Sequence, residues 1–532
     1  MALLAVGCQK DGLNGRLLLL AEGYNNDTKL AINGATSNWA DGDKVLINGV
    51  VGTVQITGSG TTVDINDEFT APYYGVYPST IYSENTGSSY ILDLPATYTY
   101  AVTDGKQNLE SPMVAYAASG NTLVFKHLTA AVTVHFVNYY GFTVEIDSIV
   151  VSSNKYKLNG TLSGLTINGS DPAVSAVETV TDAEKKVKMI GGSTLRVFAG
   201  DSINVQVPVL PVGDDNKFTI KVKVHKVDQS AVDTTFEKTQ ATAHNMARAE
   251  MGYARFATPG LFSVSASKKV VISQGNLQYQ ASSGTWKFSE TQYGYIGNAA
   301  GNNNFTATRS SQSDWIDLFG WGTSGWNNGN YLYQPYSTQN SYSSGTGYGF
   351  GPKDGENKCT YSLVGDYVEA DWGYHNRISN GGNMEHKWRV MTGNTGGEWE
   401  YLINTRSVTN RFAQACVNEK NGYIVFSDDY SHPQGLAAIS QVNKQTGSYW
   451  NNNVISSDDW EKMEAAGAIF IPTAGYSNNK NSVTEDDSYY WTSTYKDAGY
   501  SYYARCGKYS AGFSYSGYKY NGYSVRLVRD VQ

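Results

Sequence analysis

The sequence is poor in the residues on which most reactive centres are built. Its four cysteines, Cys8, Cys359, Cys416 and Cys506, lie far apart and make no Cys-x-x-Cys pair. That spacing excludes a zinc site of the usual kind and a disulfide-dense scaffold, and leaves room for at most one bridge within the C-terminal part. Charged residues are only 17% of the chain, with 40 basic against 48 acidic for a formal net charge of -8, and no Lys/Arg stripe is present. Electrostatic attraction to nucleic acid or to an anionic lipid surface is therefore excluded as the basis of function. None of the seven histidines falls in a His-Glu-x-x-His helix, and neither a Gly-x-Ser-x-Gly elbow nor a phosphate-binding glycine loop occurs. No stretch approaches the roughly 20 apolar residues of a helical membrane span. Long amphipathic helical patterns are scarce too.

What the chain has in quantity is glycine and tyrosine, 55 and 40 of its 532 residues, set among short runs that alternate apolar and polar positions. This composition fits a β-rich secreted class, and the length allows about three or four domains. "LLLLA", Leu17 to Ala21, reads as a strand. "GDKVLINGVVGTVQITG" turns on Asn48-Gly49, a strong hairpin signal. "DSINVQVPVLPVGDDNKFTIKVKVHKV" is expected to pair two strands across Gly213 to Asn216, with Val205, Val207 and Val209 on one face and Ile220, Val222 and Val224 on the facing strand. A β-sandwich follows.

Two stretches carry a resemblance. "TKLAINGATSNWADGDKVLING", Thr28 to Gly49, and "LVFKHLTAAVTVHF", Leu123 to Phe136, resemble the fimbrillin-type lipoprotein pilins of anaerobic Gram-negative bacteria, through Trp39, the Gly42-Asp43 turn and the Phe-Lys-His-Leu entry to a central strand. The start, "MALLAVGCQKDG", resembles a lipobox with Cys8 as the acylated residue, behind a segment shorter than a complete signal peptide. The resemblance implies a leader over 1–16 and two tandem transthyretin-like sandwiches over 17–122 and 123–257. It also implies export as an outer-membrane lipoprotein precursor, and removal of an N-terminal strand so that a neighbouring subunit's strand fills the groove. Arg16 is the candidate cleavage position, against the plainer reading of a solvated Arg before the first strand. His127 and His135 are read as structural.

A boundary falls at "FATPGLFSVS", where Pro259-Gly260 marks a turn and not a flexible linker, so the halves are expected to keep a fixed relationship. Beyond it, helices are expected from near Glu398 and within "DDWEKMEAAGAIFIP", with a polar, glycine-rich insertion at about 333–383. "WRVMT", "EWEYLINTR" and "YYWTST...SVRLVRD" occur in the order of the formylglycine-generating-enzyme-like branch of the C-type-lectin-like fold, and the chain over 258–532 resembles it. The fold class is thus mostly β: tandem sandwiches followed by an α+β C-type-lectin-like domain. Val525 and Leu527 are expected inward, with the Ser and Arg side chains on the opposite face. The oxidases of that branch need paired reactive cysteines, whereas Cys506 stands alone and reads as an inward strand residue, so no enzyme is expected. Sugar-binding C-type lectins use Glu-Pro-Asn or Gln-Pro-Asp with Trp-Asn-Asp, and none occurs. Glu485, Asp486 and Asp487 read as a solvated acidic loop, and no metal or cofactor is expected.

The closing stretch, Tyr489 to Asp530, holds more tyrosine than a buried sheet tolerates, because each buried hydroxyl needs a partner. Tyr mixed with Ser, Gly and Asn is the alphabet of antibody-type paratopes. Alternation places Tyr502, Ala504 and Cys506 inward and Tyr503, Arg505 and Gly507 outward, with the exposed set continuing through Tyr509, Phe513, Tyr515, Tyr518 and Tyr520. Tyr495, Asp497 and Tyr500 complete the candidate ligand-binding set. The pattern resembles the variable proteins of diversity-generating retroelements. Taken together, these readings imply a cell-surface adhesin, a pilus tip subunit or free surface lipoprotein, partnered by other pilin subunits through strand addition and by a protein or glycan ligand. The alternatives are a formylglycine-generating-enzyme-like oxidoreductase and a structural pilin without a head.

Overall fold

The computed structural model describes residues 16–22, 39–58, 60–64, 71–86, 89–103, 106–168, 171–192, 195–227, 229–297, 315–326, 361–476, 487–519 and 521–531. Cys8, Cys359, Glu485, Asp486, Tyr520 and most of the glycine-rich insertion lie outside them. The chain is mostly β, in many sheets.

The N-terminal sheet closes on itself. Its strands run Arg16–Ala21, Thr122–His127, Met113–Ala117, Tyr73–Tyr77, Lys44–Ile47, Val50–Thr57 and Gly60–Asp64 in hydrogen-bonded order. Arg16–Ala21 is the staple, parallel to Thr122–His127 on one side and antiparallel to Gly60–Asp64 on the other. Leu17 and Leu19 point into a core with Val45, Val54, Val63 and Phe125, as the alternation of "LLLLA" requires. The Asn48-Gly49 hairpin forms as read: Ile47 pairs with Val50, and both turn residues take positive φ, 46° and 87°. A second sheet of Gly160–Thr166, Ser89–Leu94 and Tyr82–Thr86 packs Leu92 and Leu165 on the far side of the first, against Leu46, Val76 and Val114.

Two details differ from expectation. Thr122–His127 belongs to the N-terminal sheet, and Thr97–Thr99 pairs with Lys186–Ile190 in the next unit, so no clean cut falls between residues 122 and 123. Arg16 is not ahead of the first strand but its first residue, opposite Asp64 and ion-paired to it at 2.7 Å. Cleavage after Arg16 would leave Leu17–Ala21 in place, so it would not by itself open a groove.

The next unit is a sandwich. Ser202–Val209, Ala130–Val137 and Met251–Ala257 face a larger sheet built on Gln229–Thr239, Phe218–Lys226, Val144–Ser153 and Lys186–Ile190. The alternating valines and isoleucines on either side of Gly213–Asn216 do point inward as read. Their strands are not partners, however. Ser202–Val209 pairs with Ala130–Val137, while Phe218–Lys226 pairs with Val144–Ser153 and Gln229–Thr239, so the turn crosses from one sheet to the other. Both apolar faces then look into one core, which satisfies the same periodicity as a hairpin would.

In the C-terminal unit, Leu527–Asp530 lies inside a sheet between Lys269–Ile272 and Arg389–Val390. The expected helices are present, a short one at Glu398–Glu400 running on to Thr405 and one at Ser457–Ala465, where the Ser456 hydroxyl accepts from the Asp459 N–H at 3.2 Å. Arg526 is buried along with Val525 and Leu527: its face of the strand is a second interior, where the guanidinium donates to Gln292 at 2.5 Å.

Sandwich and C-terminal unit share a packed neck. The Tyr139 and Tyr140 N–H groups donate to Thr258 Oγ1, the Tyr140 hydroxyl donates to the Ala465 carbonyl at 2.6 Å, and Arg529 reaches back to the Ala199 carbonyl and the Asp201 carboxylate. Gly141 touches the Ile272 carbonyl so closely that a methyl group there would overlap it. Gly141→Ala should lower the melting temperature and expose the neck to limited proteolysis, read by scanning calorimetry and by fragment sizes; backbone atoms cannot yield as a side-chain tip does.

His127 is fully buried beside the Ser111 hydroxyl, and burial, outweighing the nearby Glu22 carboxylate, holds its pKa down to about 4 from 6.5. Its protonation is therefore easier in the unfolded chain, and its contribution, present above pH 6.5, is lost as pH falls toward 4. Urea titrations of wild type and His127→Gln across that window should diverge in slope, by on the order of 3 kcal/mol over the full range.

Candidate functional site: the tyrosine-bearing sheet

The closing sheet is a meander of Asp487–Tyr495, Tyr500–Gly507 and Ala511–Tyr518. Its first turn is fixed by Asp497, whose Oδ1 accepts from the N–H groups of Gly499 and Tyr500, both at 2.9 Å. That carboxylate serves the backbone, as Asx turns do, which gives the exposed Asp497 a structural job at the turn. At the other end the Asp487 carboxylate takes Arg505 at 2.6 Å and the Lys508 N–H at 3.2 Å. Gly507 lies against Asp487 so tightly that any Cβ would collide with it.

The inner face is closed. Tyr490, Ala504, Cys506 and Phe513 join Trp399, Met391 and Val528 in one core, and the Tyr490 hydroxyl donates to the Pro472 carbonyl at 3.0 Å. Cys506 is 2% exposed, and burial pushes its thiol up to about 12. Cys416, half-buried, is also pushed up by burial. Both are unpaired thiols, and neither is poised as a nucleophile.

The outer face carries a chain of rings. Tyr476 contacts Tyr489 at 4.4 Å between centroids, Tyr489 contacts Tyr503 at 5.3 Å, and Tyr503 stacks on Tyr515 at 5.9 Å. Tyr523 lies beneath, against Tyr489, Trp491 and Tyr503. Burial raises the phenols of Tyr489 and Tyr503, so both stay protonated and able to donate. Arg505 stands 5.9 Å from the Tyr489 centroid. Away from this chain, Tyr500 and Tyr518 pair at 4.4 Å beside Lys496. Gly512 sits against the Tyr515 ring and Gly517 against the Tyr523 hydroxyl, where a side chain would displace either ring.

Of the ten residues read as ligand-binding, three are exposed aromatics: Tyr509 at 67%, Tyr515 at 41% and Tyr518 at 42%. Tyr500, Tyr503 and Arg505 are half-buried, and the unbroken register from Tyr500 opposite Tyr518 to Tyr503 opposite Tyr515 puts the first pair on the other face of the strands from the second. Tyr495 is half-buried with Lys519 Nζ 4.4 Å over its ring. Phe513 is a correction: it is 4% exposed and stacks on Trp399, not on solvent. A register shift between Tyr503 and Arg505 is the reason. Tyr503 faces Tyr515 but Arg505 faces Gly512, so one extra residue enters the last strand and its inward parity changes. Gly507 and Tyr502 also depart from strict alternation, the first buried and the second half-buried. Alternation missed Tyr489 and Tyr476; Tyr489 was readable, since it stands directly opposite Arg505.

No protein-family model matches the sequence, and no curated protein matches it either. Among solved structures, a candidate cell adhesion protein from Bacteroides ovatus is similar over 46% of this chain and 91% of its own, at 11% identity and a TM-score of 0.28. A fimbrial protein from Bacteroides ovatus is similar over 97% of this chain and 99% of its own, at 10% identity and a TM-score of 0.27. Another, from Bacteroides vulgatus, covers 46% and 95%, at 8% identity and a TM-score of 0.20. At these scores the likeness carries no argument for fold or function.

The two faces predict opposite mutational outcomes. Phe513→Ala should cost about 3–5 kcal/mol in denaturant unfolding of the C-terminal unit, whereas Tyr509→Ala should stay within about 0.5 kcal/mol of wild type.

Proposed function

We propose that this chain is a cell-surface adhesin that binds a protein or glycan ligand, without turnover, on its tyrosine-bearing sheet. The observation that carries this reading is the set of tyrosines left at the surface of a sheet anchored in a core: exposed Tyr509, Tyr515 and Tyr518, with half-buried Tyr500 against Tyr518, Tyr503 against Tyr515 and Arg505 against Tyr489. Rigid amphipathic rings supply contact area at low entropic cost, and a ring cluster rimmed by charge has the composition of a binding hot spot. Two buried or half-buried thiols shifted away from the thiolate favour binding over the oxidase alternative.

The C-type-lectin-like head, and diversification of its last strands, remain part of this proposal through the residues that resemble those families. So does its place in a pilus. Leu527–Asp530 is held on both edges and is not available for donation to a neighbour, which suits a tip subunit better than a shaft subunit. Arg16–Ala21 is a strand whose withdrawal would bare Thr122–His127 and Gly60–Asp64 to an incoming strand. Lipidation at Cys8 would place the precursor in the outer membrane.

Beads coated with the full chain should adhere to intact epithelial or bacterial cells, and a Tyr509→Ala, Tyr515→Ala, Tyr518→Ala triple variant should lose most of that adhesion at an unchanged melting temperature. Adhesion retained by the folded triple variant would remove the sheet from the mechanism.

A further inference from the structure

A second recognition surface lies at the neck, away from the tyrosines. Between the sandwich and the C-terminal unit opens a cleft of about 830 Å³. Volumes of roughly 300–1,000 Å³ are those of small-molecule sites, and interfaces between domains are where such sites concentrate.

The cleft is built on fixed ion pairs. Arg389 forks onto Glu398, both contacts 2.7 Å, and reaches Asp530 at 2.6 Å; Lys268 bridges the same two carboxylates at 3.3 Å. Arg529 closes on Asp201. Asp371, fully buried at the wall, accepts from the N–H groups of Val390 at 2.8 Å and Gly373 at 2.9 Å. All four lining carboxylates are thereby engaged. The lining also holds two further cations, Arg255 and Lys387, that form no ion pair among the described residues; the Arg255 guanidinium donates to the Tyr139 hydroxyl at 2.7 Å. Five basic groups thus face four acidic ones, in a chain whose net charge is -8. A local excess of one sign against the field of the whole molecule selects a ligand of the other sign.

The remaining wall narrows the class. Tyr374 and His386 pack ring on ring, centroids 4.2 Å apart and planes tilted by 48°, and the exposed His386 ring offers an aromatic side for the C–H face of a sugar, while the paired charges around them supply donors and acceptors already fixed in place. One guanidinium and one ammonium outside the ion pairs match a single carboxylate and are too few for a polyphosphate. We propose that this cleft binds an acidic saccharide, its carboxylate between Arg255 and Lys387 and a sugar ring against Tyr374 and His386. The site is separate from the tyrosine-bearing sheet and would stand if the sheet proved inert.

Isothermal titration of the full chain with 3′-sialyllactose and with trigalacturonate, alongside lactose and the methyl-esterified trisaccharide, tests the inference and distinguishes a sialoside from a uronate. At least one acidic sugar should bind, with its neutral counterpart about tenfold weaker or more. Arg255→Ala and Lys387→Ala should each weaken it by about tenfold, added salt should weaken it further, and Tyr515→Ala should change nothing. Both charges lie where no ion pair depends on them, so the variants should keep the wild-type melting temperature. Binding of neither acidic sugar, equal binding of the neutral forms, or binding lost in Tyr515→Ala but kept in Arg255→Ala would each overturn it.

Discussion

Phe513 stacked on Trp399, with Tyr490 beside them, is the contact on which the closing sheet depends. A three-stranded meander of tyrosine, serine and glycine has little apolar surface of its own, and so small a sheet gains independent stability only by packing on something else. The inner face supplies that packing through Tyr490, Ala504, Cys506 and Phe513. With this face buried and its deep hydroxyls satisfied, that of Tyr490 by the Pro472 carbonyl, that of Tyr423 by the Gly507 carbonyl and that of Ser488 by the Cys506 carbonyl, the outer rings are free to stay at the surface. Exposure of Tyr515 is thus a consequence of how well the opposite face is filled, while Tyr509 stands at the turn and Tyr518 at the far end of the strand.

Periodicity made much of this legible. "LLLLA" declared a strand, Asn48-Gly49 a two-residue hairpin, and the valines at 205, 207 and 209 an inward face, because each of these depends only on neighbours in sequence. Pairing was not legible to the same degree. Ser202–Val209 and Phe218–Lys226 have apolar faces that meet equally well side by side or across a sandwich, and only the identity of the third strand, Ala130–Val137, settles it. Thr122–His127 misled for a related reason: its apolar run continues into the next strand, yet Leu128 and Thr129 separate two units with different sheets.

At the site, local alternation located the face but failed at one residue. Ala504, Cys506, Tyr503 and Arg505 fall where the period of two puts them, up to the extra residue inserted opposite Ala504. A bulge is a tertiary choice: here it lets Phe513 drop onto Trp399 while Tyr515 stays outside, and nothing in "AGFSYSGY" announces it. Asp497 holds a role the sequence reading did not give it: its Oδ1 accepts from two backbone N–H groups and fixes the turn. Neither the ring cluster's supporting member Tyr476 nor the neck cleft had a signature in the sequence, since both bring together segments from distant parts of the chain.

The strand Leu527–Asp530 and its flanks tie these features together. Val528 packs against Tyr490 in the core under the tyrosines, Arg529 spans the neck to Ala199 and Asp201, and Asp530 anchors Arg389 in the cleft. Successive residues of one strand therefore serve the sheet, the joint and the cleft. If the outer sheet holds a ligand as proposed, a force applied there would reach the sandwich through these packed and ion-paired side chains. For a molecule read as an adhesin that matters, because a bond held at the end of a floppy head samples orientations that pull its contacts apart one at a time, whereas a rigid neck loads them together. The same strand end ties Arg389, Lys268 and Glu398 into paired contacts at the cleft wall, so those groups are already oriented by one another.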